Sequence, residues 1–222
     1  MADHAAAHDD GHGARHPRLQ HHFQDMRTQQ HAARLGMWLF LATEILLFGG
    51  LFCAYAYYRT LYPEAWKACS HHTFRLFGLG ETFDLITSSF TMVMAIHMVR
   101  LGKKNLAVVF LLATIAMGLL FLCLHGYEYY SEFQEGALPG KFYHFKEVTA
   151  NGAPMYYAVY FLMTGLHSIH VFIGAGVLTV LTYFTAKGEY DASYDHPIDL
   201  GGLYWHLVDL IWIFLFPLLY LV

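Results

Sequence analysis

The sequence predicts an all-α, polytopic membrane protein, and three observations carry that reading. Charged residues make up only 14% of the 222 positions, against about a quarter in an ordinary soluble domain. Hydrophobic residues reach 56% and are gathered into blocks. Five of those blocks, at about 35–58, 82–101, 106–128, 155–186 and 201–222, match the ~20 residues a helix needs to cross a bilayer. The expected organisation is a polar tail over 1–34 followed by a five-helix membrane domain over 35–222.

The tail has no apolar run ahead of a small-residue cleavage site, so it is not read as a signal peptide. His4, His8, His12 and His16 recur every four residues, with His21, His22 and His31 beyond. On a helix the first four would share a face able to hold a metal. Gly11, Gly13 and Pro17 interrupt any such helix, and a disordered tail is the simpler expectation.

The first apolar block contains a contradiction: Glu44 lies inside it, ~13 Å from the expected helix start and close to mid-membrane. An acid at that depth is costly and is read as functional by default, with a partner on a neighbouring helix. The plainer alternative is a protonated, hydrogen-bonded acid that serves assembly alone. Residues 60–80, with Pro63, Glu64, Lys67, His71, His72 and Arg75, read as an extramembrane connection. Lys103, Lys104 and Asn105 make a tight turn between the second and third blocks. Residues 131–154, rich in glycine, charge and aromatics, form a longer loop that ends at Pro154. The fourth block exceeds one crossing and must tilt or project. Residues 187–200 are acidic and end in Asp199, just before Gly201 and Gly202.

Orientation follows from the basic residues. Arg15, Arg18, Arg27, Arg34, Arg100, Lys103, Lys104 and Lys187 fall on one side; Arg59, Lys67, Arg75, Lys141 and Lys146 fall on the other. The N-terminus is expected in the cytoplasm and the C-terminus outside. Glu44, His97, His206 and Asp209 then belong to the cytoplasmic half or the midplane. His125, Glu128 and Asp84 belong near the outer surface. His167 and His170, at i and i+3 on one face, sit near the centre. Gly49, Gly50, Gly165, Gly174 and Gly176 permit close helix contacts.

Two chemistries suit buried histidines on several helices. They can ligate haem or metal, with His125 and His167 the nearest pair, or they can hydrogen-bond to acids and carbonyls. Tyr127, Tyr129, Tyr156, Tyr157 and Tyr160 crowd the haem alternative, and polar pairing is favoured. Glu44, His206 and Asp209 could relay protons, but no continuous set of carboxylates crosses the membrane. Cys53, Cys69 and Cys123 form no spaced set, so neither a disulfide framework nor a cysteine metal site is expected. A net charge of −4 offers no nucleic-acid surface.

Five ordered blocks carry a resemblance: Ala42-Thr43-Glu44-Ile45-Leu46-Leu47-Phe48-Gly49, Leu85-Ile86-Thr87-Ser88-Ser89, Tyr127-Glu128-Tyr129-Tyr130, Thr164-Gly165-Leu166-His167-Ser168-Ile169-His170-Val171, and Tyr204-Trp205-His206-Leu207-Val208-Asp209-Leu210-Ile211-Trp212-Ile213-Phe214. Together they resemble subunit III of the haem–copper oxidases, in its five-helix form, from about residue 35 to the end. The resemblance implies two helix bundles around a V-shaped cleft that holds phospholipid and opens toward subunit I. It implies no catalytic residue and no metal or cofactor in this chain, with haem and copper in subunits I and II. It implies an accessory role: stabilising subunit I, with an influence on proton uptake and oxygen access. Electrons would come from cytochrome c or a linked donor complex through the partner subunits, in a bacterial inner membrane. Glu44 matches the carbodiimide-reactive acid of the family and is expected to be uncharged, bonded to His170 or His206. His97, His167, His170, His206, Asp209 and Glu128 are the expected buried polar partners. Tyr204, Trp205 and Trp212 are the expected subunit or lipid contacts. Ubiquinol oxidases and nitric oxide reductases have related subunits, and a self-sufficient membrane cytochrome or a stand-alone transporter are the alternatives of another class.

Overall fold

A computed structural model describes residues 19–72, 75–139, 143–145, 148, 150–191 and 194–221. Its helices are α1 (Met26–Leu61), α2 (Pro63–His72), α3 (Arg75–Arg100), α4 (Lys104–Glu135), α5 (Ala153–Lys187) and α6 (His196–Tyr220). All but α2 are long and apolar enough to cross a membrane, which makes this a multi-pass membrane protein. The described residues divide into two units, one ending at Phe40 and one running from Leu41. His4, His8, His12 and His16 lie outside the described residues.

The helices outrun the apolar blocks that announced them. An apolar count measures only the hydrocarbon thickness, whereas a helix continues through polar residues until something stops it. In the first unit, α1 begins at Met26 because the Asp25 carboxylate accepts a hydrogen bond from the Thr28 backbone N–H at 2.6 Å. The connection at 60–80 is not a loop throughout: Pro63, whose fixed φ suits a first helical position, opens α2. Helix α4 runs on to Glu135 and stops at Gly136, whose φ of 77° is left-handed and whose N–H bonds back to the last turn. At ~1.5 Å per residue, the 35 residues of α5 extend ~52 Å, well beyond a ~30 Å core.

Within the second unit, α3, α4, α5 and α6 pack in a closed cycle, each against two neighbours. The cause is visible in the spacing. Buried positions on α4 are 107, 111, 114, 118, 121, 125, 128 and 132, and on α3 they are 78, 81, 85, 88, 92, 95 and 99. Both sets alternate steps of three and four, the repeat that keeps one seam facing a partner helix. The α1 residues from Leu41 onward meet this cycle through side chains. Phe48 lies 5.3 Å from the His170 ring, and the Tyr55 hydroxyl donates to the Leu218 carbonyl. Trp66 of α2 is fully buried, edge-on to Tyr55 and Tyr156.

Candidate functional site: two polar centres in the membrane domain

Two groups of ionisable side chains lie inside the second unit. The first is built on Glu44, near the middle of α1. Its Oε2 lies 2.8 Å from Nε2 of His170, whose Nδ1 is 2.7 Å from the Leu166 carbonyl of its own helix. A neutral imidazole cannot donate from both nitrogens. Either the imidazole is protonated against a carboxylate, or it donates to Leu166 and accepts from a carboxylic acid. In both cases one proton is held between acid and base. The side chains are 15% and 13% exposed, so this pair lies at the edge of the packed interior. The Tyr204 hydroxyl donates to the His170 carbonyl at 3.1 Å.

His206 is not the partner of Glu44. Its Nδ1 lies 2.7 Å from the Ser89 hydroxyl on α3. Asp209, one turn along α6, is buried, with Oδ2 3.5 Å from the Ser88 hydroxyl. Ser88 in turn accepts a 3.0 Å hydrogen bond from Trp205 Nε1. Trp205 and Trp212 are fully buried, which corrects their expected role as subunit or lipid contacts. For Trp205 the reason is steric: a Cβ at Gly118 would come within 2.6 Å of its ring, and one at Gly174 within 3.0 Å. These two glycines make the slot that takes the indole inward. His97 is exposed, because the buried stripe of α3 runs through Ala95 and Val99 and leaves it on the opposite side.

The second centre joins Glu81 of α3 to His125 and Glu128 of α4. Nδ1 of His125 faces both acids, 3.5 Å from Glu81 Oε1 and 3.4 Å from Glu128 Oε2. The Tyr220 hydroxyl donates to Glu128 Oε2 at 2.8 Å. Glu132, one turn beyond Glu128, is buried as well. Glu81 and Glu132 are absent from the sequence-derived set. Glu81 falls one residue before the expected second span and Glu132 inside an expected loop. A signal for both existed: carrying the three-four spacing of Leu85 and Ser88 back along α3 lands on Glu81, and carrying that of His125 and Glu128 forward lands on Glu132.

His167, buried, stacks on Trp212 with centroids 5.1 Å apart. Phe121 lies 5.6 Å from His125 and 5.5 Å from His167, and Trp212 lies 5.6 Å from His125. Phe121 and Trp212 thus pack against both imidazoles.

Outside the membrane spans, burial pushes the Cys69 thiol of α2 up to about 12. An apolar groove of about 280 Å³ lies between α1 and α6, lined by Phe48, Gly49, Phe52, Leu207, Leu210 and Phe214 among others.

The cytochrome c oxidase subunit III family model matches residues 19–222. Among curated relatives, a probable quinol oxidase subunit 3 from Staphylococcus haemolyticus is 29% identical over 89% of this chain and 93% of its own length. Cytochrome c oxidase subunit 3 from Tragelaphus imberbis and from Aepyceros melampus are each 30% identical, over 87% of this chain and 70% of theirs. With the family match extending through all five membrane helices, this chain belongs to the cytochrome c oxidase subunit III family.

Proposed function

We propose that this chain is the accessory, non-redox subunit III of a bacterial cytochrome c oxidase. In this reading it supports subunit I during turnover, lies beside subunits I and II, and leaves haem and copper to them. Its N-terminus faces the cytoplasm of an inner membrane, following the excess of Lys and Arg on that side. The observation that carries the reading is the hydrogen bond between Glu44 and His170, in a chain whose family is that of an oxidase subunit. A mid-helix acid that shares a proton with one histidine can buffer or hold a proton.

Exposure supports a need for company. Only 11% of the apolar stretch of α1 is buried within the chain, against 61% of that of α6. The groove between α1 and α6 has the shape and apolar lining for a lipid acyl chain, which is the role proposed for it. A quinol oxidase is the second reading, favoured by the staphylococcal relative of nearly equal length.

Purification of the tagged chain in mild detergent tests the proposal. Large haem-bearing subunits are expected to come with it, and cytochrome c rather than quinol is expected to reduce them. Recovery of the chain alone from gently solubilised membranes would overturn it.

A further inference from the structure

We propose that Glu81, His125 and Glu128 form a site for a redox-inert divalent cation, zinc by its donors and spacing. The three ligand atoms lie within 4.8 Å of one another, and all three residues are buried. Both Glu81 oxygens, both His125 nitrogens and Glu128 Oε1 are buried without a hydrogen-bonding partner among the described residues. So many unmet polar atoms at one point in a membrane protein require something to neutralise them, since each is costly in a medium that cannot solvate it.

The distances favour a metal over direct hydrogen bonds. Separations of 3.4 and 3.5 Å are longer than the ~2.7–3.2 Å of an N–H···O bond. They match the edge of a tetrahedron: ligands ~2.0–2.1 Å from zinc lie ~3.3–3.4 Å from one another. An octahedron at the ~2.1 Å of magnesium would bring neighbouring ligands to ~3.0 Å, and calcium takes oxygen donors rather than imidazole. The charge also balances, because two carboxylates and a neutral imidazole carry −2.

The surroundings resemble support for a metal ligand. Tyr220 donates to Glu128 Oε2 at 2.8 Å and fixes that carboxylate. Phe121 is stacked 7° from parallel on the His125 ring, and Tyr129 lies 4.6 Å from it. Asp84, one turn along α3 from Glu81, lies outside the three-ligand group, and a water would take the fourth position without changing the charge balance. The site would clamp α3 to α4 near the end of their seam, ~9 Å from the start of α3. Nothing in this inference requires the oxidase reading to be correct.

The test is the metal content of the intact complex, isolated with a tag free of histidine from zinc-replete cells and dialysed against EDTA. Zinc should exceed that of the Glu81→Gln and His125→Gln complexes by about one equivalent per chain. The zinc absorption-edge spectrum should show one imidazole with oxygen donors at ~2.0 Å. A complex with His4, His8, His12 and His16 replaced by alanine should keep the equivalent. Equal zinc in wild type and both variants, or zinc that follows the tail histidines, means an adventitious ion only and overturns the site. If neither variant assembles, the wild-type spectrum decides: no zinc, or a shell with several imidazoles or any sulfur, overturns it. A centre held by protons alone gives that zinc-free result.

Discussion

The two polar centres solve the same problem in opposite ways. Glu44 and His170 are joined by one short hydrogen bond and sit at the edge of the packed interior, 15% and 13% exposed. Glu81, His125 and Glu128 are sealed within the α3–α4 seam at spacings too long for hydrogen bonds. A pair that exchanges one proton tolerates a neutral replacement. A sealed cluster does not, because removing one member leaves the others buried and uncompensated. The difference separates a centre suited to responding to its environment from one suited to fixing the fold.

The largest expected effect therefore falls on the second centre. His125→Ala should destabilise the chain by ~3–5 kcal/mol, read as lost yield and early thermal aggregation in detergent. If it melts with wild type, the two centres do not differ as argued. Gly118→Ala comes next: with Trp205 2.6 Å from the new Cβ, overpacking should cost ~1–3 kcal/mol in the same assay. Glu44→Gln keeps a hydrogen-bonding partner for His170, should cost only ~1 kcal/mol, and should abolish carbodiimide labelling of α1. Persistent labelling in that helix would contradict the role of Glu44. Arg100 pairs with Asp195 and Asp199 at 2.5 and 3.0 Å but is 53% exposed. Arg100→Gln should cost under ~1 kcal/mol, and less in high salt. Finally, with its thiol raised to about 12, Cys69 should stay protonated and resist maleimide at pH 8 until the chain is unfolded.

The same contrast explains what could be read from the sequence. Glu44 announces itself because it interrupts an apolar block, and depth alone marks it out. The five spans were legible for the same reason, and their ends were not, since Asp25 starts α1 and Gly136 ends α4 outside the hydrocarbon-length stretch. Glu81 lies where polarity is unremarkable: the three-four spacing of α3 marks it as inward-facing, but only packing places it opposite His125, 44 residues away. Trp205 and Trp212 are expected as subunit or lipid contacts from the family resemblance. The burial of Trp205 depends on Gly118 and Gly174 on two other helices, and Trp212 is covered by Phe121, His125 and His167 of α4 and α5, which no local pattern on α6 reveals. The two hydrogen-bonded pairs, Ser89 with His206 and Glu44 with His170, were likewise separable only by geometry.

The most direct test of the account is the visible spectrum of this chain after it is dissociated from its partners and refolded in detergent. The account predicts no Soret band on this polypeptide, with all haem recovered on the large subunits. A reducible Soret band that travels with the isolated chain would contradict it.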